Sequence, residues 1–125
     1  MDAREFLTTA QELLQGNREI DYRNAASRAY YCAFHLCKML LEELPKSQGT
    51  LGASHQKVIL ELLSYPDKEV NKLGKKLEQA KRLRQKADYQ LNVTFSRYEA
   101  SRILSQVQKI LSEVDDYLRS LKDKS

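Results

Sequence analysis

The sequence predicts an all-α fold, an up-and-down bundle of four to five helices that forms a single domain over residues 1–125. Three observations carry this prediction. Apolar residues recur at three- and four-residue spacing through most of the chain, which is the period of an amphipathic helix. Glycine and proline are scarce, at four and two residues, and most of them stand between the periodic segments. The 42% of residues that are hydrophobic suffice for one modest core.

The first two predicted helices are separated near Gly16. The first begins at about Asp2, a residue type favoured as an N-cap, and ends at the glycine. The second begins after Asp21 and continues to Leu44, where Pro45 stops it. Because it is apolar on both sides, we expect it at the centre of the bundle. One side consists of Ala26, Ala29, Tyr30, Ala33, Cys37, Leu40 and Leu44, and the other of Asn24, Arg28, Tyr31, His35 and Met39.

A loop and two helices are predicted next. The loop covers residues 46–52 and contains two glycines, which break helical structure. A short helix follows Ser54 and is closed by Pro66. Asp67 then caps a long basic helix that continues to about Tyr89.

The final predicted helix begins with a capping box at Ser96-Arg-Tyr-Glu99, in which the serine and the glutamate each bond the backbone N–H of the other. Apolar residues then recur at helical spacing as far as Leu121. The chain shows no internal repeat, linker or low-complexity segment.

Composition argues against a membrane protein and against a metal or redox protein. No apolar run approaches the length of a membrane span, and the N-terminus lacks the layout of a signal peptide, so we expect a cytoplasmic protein without membrane association. Cys32 and Cys37 stand five apart in one helix, point to different faces and cannot form a relaxed disulfide. Cys32 and His35 have metal-like spacing but no further ligands, so we predict no metal and no cofactor.

A charged pair continues the apolar stripe of the long basic helix. Arg84 and Asp88 are one turn apart and stand on the predicted core side. Burying a guanidinium and a carboxylate costs several kcal/mol per ion unless the pair is well satisfied. The pair therefore either fixes a packing geometry or builds a site, and the pattern alone favours neither. The whole stripe is Val70, Leu73, Leu77, Ala80, Arg84, Asp88 and Leu91.

The same helix carries excess positive charge on the side opposite this stripe. Between residues 68 and 86 there are eight lysines or arginines against two glutamates, in a chain of net charge +4. Such a run of charges usually lies on the solvent-exposed side of a helix and has no specific function. Alternatively it is a ridge for a polyanion, because phosphate contacts by Lys and Arg supply most sequence-independent affinity for nucleic acid. The ridge consists of Lys68, Lys72, Lys75, Arg82 and Lys86.

The candidate catalytic residues are His35, His55 and Arg28. Spacing places Arg28, Tyr31 and His35 on one helix face, as a stacked aromatic cluster at a helix interface or as a group for general acid–base chemistry. His55 follows Ser54 at a helix start, where a capping role competes with a site role. Catalytic triads, paired acid–base carboxylates and phosphate-binding glycine loops have no support in the sequence.

Three sequence blocks together resemble the prokaryotic branch of the HEPN superfamily. In that branch the blocks follow the patterns "sRaYYaaFh", "tH" and "R..aDY", in this order. The resemblance covers nearly the whole chain, from Ala3 into the last helix. Here the blocks are Ala26-Ser-Arg-Ala-Tyr-Tyr-Cys-Ala-Phe-His35, Ser54-His55-Gln-Lys-Val58 and Arg84-x-x-x-Asp88-Tyr89.

The resemblance implies an all-α bundle that usually dimerises and is linked to nucleotide or RNA binding. Several HEPN families are metal-independent ribonucleases that act as toxins or in antiviral defence, and others pair with a minimal nucleotidyltransferase. The nucleases carry an R-x4-6-H motif, two copies of which meet across the dimer. Counted from Arg84, the histidine would fall at Tyr89, Gln90 or Leu91, none of which is histidine. Arg28 and His35 match the spacing in an earlier helix, which we interpret as coincidence.

The residues and the resemblance leave three functional hypotheses open. The leading one is a dimeric module that binds nucleotide or RNA and forms one half of a defence or toxin–antitoxin pair with a minimal nucleotidyltransferase. The second is an active metal-independent ribonuclease, and the third is a structural partner without a ligand. The residues to which the resemblance assigns ligand binding are Arg84, Asp88 and Tyr89, with Arg28, Tyr31 and His55 as neighbours.

Overall fold

The computed structural model describes residues 1–47 and 54–123, and every regular element in these two ranges is an α-helix. The five helices confirm the all-α prediction. Within the predicted loop at 46–52, residues 48–52 lie outside the described part. The helices are α1 (Arg4–Leu14), α2 (Glu19–Glu43), α3 (His55–Ser64), α4 (Lys68–Tyr89) and α5 (Arg97–Asp123).

Most helix starts follow the predicted caps. The side chain of Ser54 accepts a hydrogen bond from a backbone N–H in the first turn of α3, at 3.2 Å, and Asp67 does the same for α4 at 2.8 Å. The capping box of α5 is present, with Ser96 Oγ accepting from Glu99 N at 3.1 Å and Glu99 accepting from Ser96 N at 3.3 Å. The helix α2 begins at Glu19, earlier in the sequence than predicted. Arg18 is its N-cap residue, and Asp21, which was predicted to precede the helix, forms a capping box with Arg18 from the first turn.

The central position predicted for α2 is confirmed, since α2 contacts all four other helices. Its small-residue side is buried, and Tyr30 on that side has no exposed surface. The opposite side is open: His35 and Met39 are exposed, and Arg28 and Tyr31 are half-buried. The outer side of α2 thus presents polar and aromatic groups that the bundle does not cover.

A clamp at the C-terminal end of α3 holds this helix against α4. The side-chain amide nitrogen of Asn71 lies 2.9 Å from the carbonyl oxygen of Leu62, 3.0 Å from that of Leu63 and 2.7 Å from that of Tyr65. One turn along α4, a Cβ atom on Gly74 would come within 3.0 Å of the Leu62 and Leu63 side chains. A side chain at position 74 would therefore push against α3, and glycine allows the two helices to approach this closely.

Polar cross-links join α4 to α5 in antiparallel orientation. Lys76 forms an ion pair with Glu113, and Tyr117 donates a hydrogen bond to the Asp67 carboxylate at 2.7 Å. Nearer the connection between the two helices, Lys86 Nζ lies 2.6 Å from Glu99 Oε2. Together these contacts define the flank of the α4–α5 hairpin between the core and solvent.

A buried arginine that the sequence analysis did not select holds the connection between α4 and α5. The Arg23 side chain is 6% exposed. Its guanidinium lies within hydrogen-bond distance of four backbone carbonyl oxygens and of the Glu19 carboxylate. The carbonyl distances are 3.3 Å for Lys86, 2.8 Å for Ala87, 3.1 Å for Gln90 and 2.5 Å for Val93, and the Glu19 distance is 3.1 Å.

Two predictions about the long basic helix were wrong in detail. The buried stripe does not continue through Asp88 and Leu91: the Asp88 side chain is 26% exposed and Leu91 is 73% exposed. The reason is that α4 ends at Tyr89, so that its last turn reaches beyond the core. Lys86 is not on the exposed back of the helix, since it is half-buried and paired with Glu99.

Candidate functional site

Arg84 stands at the centre of an aromatic cluster contributed by α2 and α4. Its guanidinium carbon lies 5.1 Å from the ring centroid of Tyr30, 6.0 Å from that of Tyr31 and 5.9 Å from that of Tyr89. Cations are attracted to aromatic faces at such distances. Arg84 and Tyr30 are buried, Tyr31 is half-buried and Tyr89 is 72% exposed. The rings thus connect the buried guanidinium to the surface.

The buried guanidinium of Arg84 is incompletely satisfied. The side chain is 9% exposed. Its hydrogen-bond partner is Asp88, with Arg84 Nη1 donating to Oδ2 at 3.3 Å. Arg84 Nε is buried without a partner among the described residues. An unpaired buried donor costs free energy, which a ligand that supplies an acceptor would recover.

Asp88 receives two bonds on the same oxygen. Ser27 Oγ donates to Asp88 Oδ2 at 3.4 Å, and Arg84 donates to that oxygen as well. The carboxylate thereby holds the arginine from one side. With the side chain 26% exposed, Asp88 stands at the edge of the cluster rather than inside the core.

His55 joins the cluster from the first turn of α3. Tyr30 Oη and His55 Nδ1 are 2.7 Å apart, a hydrogen bond whose direction depends on the histidine tautomer. The imidazole also stacks on Phe34, with 4.1 Å between ring centroids. Burial, followed by the charges of Arg84 and Lys81, lowers the pKa of His55 below its ordinary value. Burial raises the pKa of Tyr30, so its hydroxyl stays protonated at neutral pH.

A second cation lies on the other side of Tyr31. The Arg28 guanidinium carbon is 4.9 Å from the Tyr31 ring centroid and 5.9 Å from that of Phe6. Arg28 forms no ion pair in the described part of the chain. His35 stacks on Phe6 with 5.5 Å between centroids and lies 6.5 Å from Tyr31. Its pKa is lowered by burial and by the charge of Lys38.

The predicted site residues therefore form one connected group with an outlying member. Tyr31 links Arg28 to Arg84, and Tyr30 links Arg84 to His55. His35 reaches the group only through aromatic contacts at its outer edge. We call the connected residues the arginine cluster; they are Ser27, Arg28, Tyr30, Tyr31, Phe34, His55, Arg84, Asp88 and Tyr89.

A family model described as a HEPN domain matches residues 1–117. The chain belongs to the HEPN family. This match confirms the family that the three sequence blocks predicted. No curated protein matches the chain, and neither does any solved structure. In this HEPN domain the first block lies on α2, the second at the start of α3 and the third at the end of α4.

The ridge of the HEPN domain shares no residue with the arginine cluster. Lys68, Lys72, Lys75 and Arg82 are exposed. Lys72 lies 3.4 Å from a carboxylate oxygen of Glu69, and Arg82 lies 3.0 Å from one of Glu78. Lys68 and Lys75 have no carboxylate partner within the described ranges.

Sequence reasoning missed the contributions of Ser27, Tyr30 and Phe34 to the site. Tyr30 was assigned to the core side of α2, where it does lie, but its hydroxyl also bonds His55. A signal was present, because Ser27, Tyr30 and Phe34 are spaced by three and four residues and form one line on the helix. That line shows which residues share a face, but not which helix lies opposite.

The described residues contain no group of three or more His, Cys, Asp or Glu side chains that could hold a metal ion. Burial raises the pKa of Cys32 to about 11 and that of Cys37 to about 12, so both are uncharged thiols at neutral pH. No described helix is long and apolar enough to cross a membrane.

Proposed function

We propose that this HEPN domain binds RNA or a nucleotide, with a phosphate group at Arg84. The observation that carries the proposal is the buried Arg84 guanidinium, whose Nε has no hydrogen-bond partner among the residues that the structure describes. Phosphate oxygens are strong acceptors for a guanidinium. A phosphate at this position would satisfy the donor that the fold leaves unpaired.

The surroundings of Arg84 suit a nucleotide better than a bare anion. Tyr89 is exposed and lies beside the guanidinium, so that its ring is available for stacking on a base. Arg28 places a second positive charge on the far side of Tyr31. Asp88 keeps Arg84 in position by accepting one of its hydrogen bonds.

Measuring melting and binding together tests this proposal. Arg84→Ala, Asp88→Ala and the apolar double variant Arg84→Leu/Asp88→Met are titrated with a labelled RNA and with a mononucleotide. We expect the double variant to stay folded and to lose binding, whereas Arg119→Ala, at an exposed arginine near the end of α5, retains binding. A stable double variant with full affinity would refute a ligand role for Arg84 and leave the pair purely structural.

The alternative function is a metal-independent ribonuclease. One observation favours it: His55 and Arg84 both contact Tyr30, which brings a neutral imidazole near a guanidinium. A neutral histidine can serve as a general base. RNA cleavage in EDTA that is lost in His55→Ala but kept in His35→Ala would establish this activity. Absence of cleavage by the wild-type protein in the presence of bound RNA would exclude it.

We further propose that the domain forms a homodimer and pairs with a minimal nucleotidyltransferase in a defence or toxin–antitoxin system. The uncovered side of α2, with Met39 37% exposed, offers apolar and aromatic groups for contact with a second subunit. Light scattering that gives a particle of 14.5 kDa at micromolar concentration would contradict the dimer. Copurification with the product of a neighbouring nucleotidyltransferase gene tests the pairing.

A further inference from the structure

The α4–α5 hairpin has an outer face on the side away from the core. The contacts Lys76–Glu113 and Lys86–Glu99 lie between core and solvent on both helices. Beyond these pairs, each helix carries exposed residues on its solvent side. We call these exposed residues together the outer face; they are Lys68, Lys75, Arg82 and Tyr89 on α4 and Tyr98, Arg102 and Lys109 on α5.

Two exposed tyrosines stand at the end of the outer face where the helices are connected. Tyr89 and Tyr98 are each 72% exposed. The ion pair between Lys86 and Glu99 joins the helices within three residues of either tyrosine, so both rings lie at the same end of the bundle. Tyr89 contacts the Arg84 guanidinium, whereas the ring of Tyr98 contacts no aromatic ring or guanidinium among the described residues.

The cations of the outer face are largely free of protein partners. Arg102 and Lys109 are exposed and form no ion pair with the part of the chain that the structure describes. They stand one and three turns beyond Tyr98 on the same side of α5. On α4, Lys68 and Lys75 are likewise exposed and have no carboxylate partner among the described residues. Positive charges in rows beside exposed aromatic rings are the composition of surfaces that bind single-stranded nucleic acid.

The backbone that carries the two tyrosines is held in place. Arg23 bonds carbonyl oxygens on both sides of Tyr89, at Ala87 and at Gln90. Glu19 accepts a hydrogen bond from Phe95 N at 3.2 Å, close to the start of α5. Because this connection is already ordered, a ligand that contacts both tyrosines does not have to order the backbone between them.

We propose that the outer face binds single-stranded RNA, with bases stacked on Tyr89 and Tyr98 and phosphates along Arg102, Lys109 and the ridge of α4. This inference rests on the proposed function and makes it more specific: the ligand at Arg84 is part of an oligonucleotide rather than a mononucleotide. Stacking on the tyrosines requires unpaired bases, which a duplex does not offer. Continuity through Tyr89 joins the outer face to the arginine cluster.

Fluorescence anisotropy with a short oligouridylate, compared with calorimetry on uridine monophosphate, tests this inference. We expect wild-type protein to bind the oligonucleotide more tightly than the mononucleotide. Tyr98→Leu should weaken oligonucleotide binding about tenfold more than mononucleotide binding, and Tyr98→Phe should restore it, because a phenyl ring stacks and an isobutyl group does not. Arg102→Ala/Lys109→Ala should reduce the salt dependence of oligonucleotide binding, whereas the matched control Lys46→Ala should not.

Three results would overturn the inference. Equal affinities for oligonucleotide and mononucleotide, with Tyr98→Leu changing neither, would refute the outer face while leaving the nucleotide site at Arg84 intact. Tight oligonucleotide binding that Tyr98→Leu does not affect would assign the exposed tyrosine to another partner, such as a protein. Failure of the wild-type protein to bind either probe would remove the proposed function together with this extension.

Discussion

Two arginines are buried in this HEPN domain, and they are buried in opposite ways. As whole residues, Arg23 is 5% exposed and Arg84 is 7% exposed. The Arg23 guanidinium has five polar partners, four of which are backbone carbonyls of the last turn of α4 and of the α4–α5 connection. Arg84 donates one hydrogen bond, to Asp88, and its Nε has no partner among the described residues. The two arginines are thus equally buried but unequally hydrogen-bonded, and this difference is the basis on which we assign a structural role to Arg23 and propose a ligand-binding role for Arg84.

The largest expected effect is on stability, from Arg23→Met. The substitution removes the side-chain donor for four carbonyl groups. Those of Lys86 and Gln90 keep a backbone donor, whereas those of Ala87 and Val93 lose their donor among the described residues. This loss, together with that of the ion pair to Glu19, should cost about 3–5 kcal/mol of unfolding free energy. Urea denaturation measures this loss. A cost below about 1 kcal/mol, on the same scale, would mean that water replaces the guanidinium and that Arg23 is not a structural arginine.

Arg84→Met should instead act on binding. We expect RNA affinity to fall about thirtyfold, since charge-assisted hydrogen bonds to phosphate are lost. Stability should change by less than about 1 kcal/mol, because apolar replacement of a buried charge is often neutral and the remaining Asp88 is partly hydrated and still bonded to Ser27. Anisotropy and urea denaturation of the same sample check both parts. A large loss of stability with unchanged RNA affinity would show that Arg84, like Arg23, has a structural role.

Lysine substitutions sharpen the comparison further. An ammonium has three donors and no planar fork, so that Arg23→Lys cannot reach the separate acceptors and should cost about 2 kcal/mol. Arg84→Lys keeps the charge beside Asp88 and should retain part of the affinity for RNA. An Arg23→Lys variant as stable as the wild-type protein in urea denaturation would contradict the claim that the several hydrogen bonds of the Arg23 guanidinium stabilise the fold.

The smallest expected effect is on the titration of His55. Its pKa is lowered first by burial and next by Arg84, so Arg84→Met should raise it toward the ordinary value and Arg23→Met should not. A lowered pKa in the folded state means that the unfolded chain takes up the proton more readily. Stability therefore falls as pH drops through about 6.5, and the fall should be smaller in Arg84→Met. NMR titration of the imidazole in both variants gives the result directly.

The helical architecture followed from local sequence signals, because caps and breakers act over a few residues. Ser54, Asp67 and the Ser96–Glu99 box lie where they were predicted. Arg84 could also be identified from a short stretch of sequence, because it is a charged residue on an otherwise apolar stripe of one helix. The same argument would have found Arg23, which lies inside the predicted second helix, three residues before Ala26, where the small-residue stripe was taken to begin.

The composition of the site could be predicted only in part. The bond between Tyr30 and His55 depends on where α3 packs, and no local pattern reports that position. The incomplete satisfaction of Arg84 is equally a property of its three-dimensional surroundings. The position of Asp88 was misjudged because helical spacing does not tell where the core ends. The RNA ligand, the dimer and the nucleotidyltransferase partner stay predictions.

Asn71 and Gly74 contact α3 at its C-terminal end, whereas His55 lies at its N-terminal end. An α-helix of 10 residues is about 15 Å long, so a small tilt at one end moves the other end appreciably. A tilt of about 4° at the C-terminal end would swing the imidazole by about 1 Å, by the geometry of an arm of that length. Displacements of this size are enough to disable a site whose groups must meet a ligand at hydrogen-bonding distance. The position of His55 thus depends on two residues that do not contact it, in addition to Tyr30 and Phe34, which do.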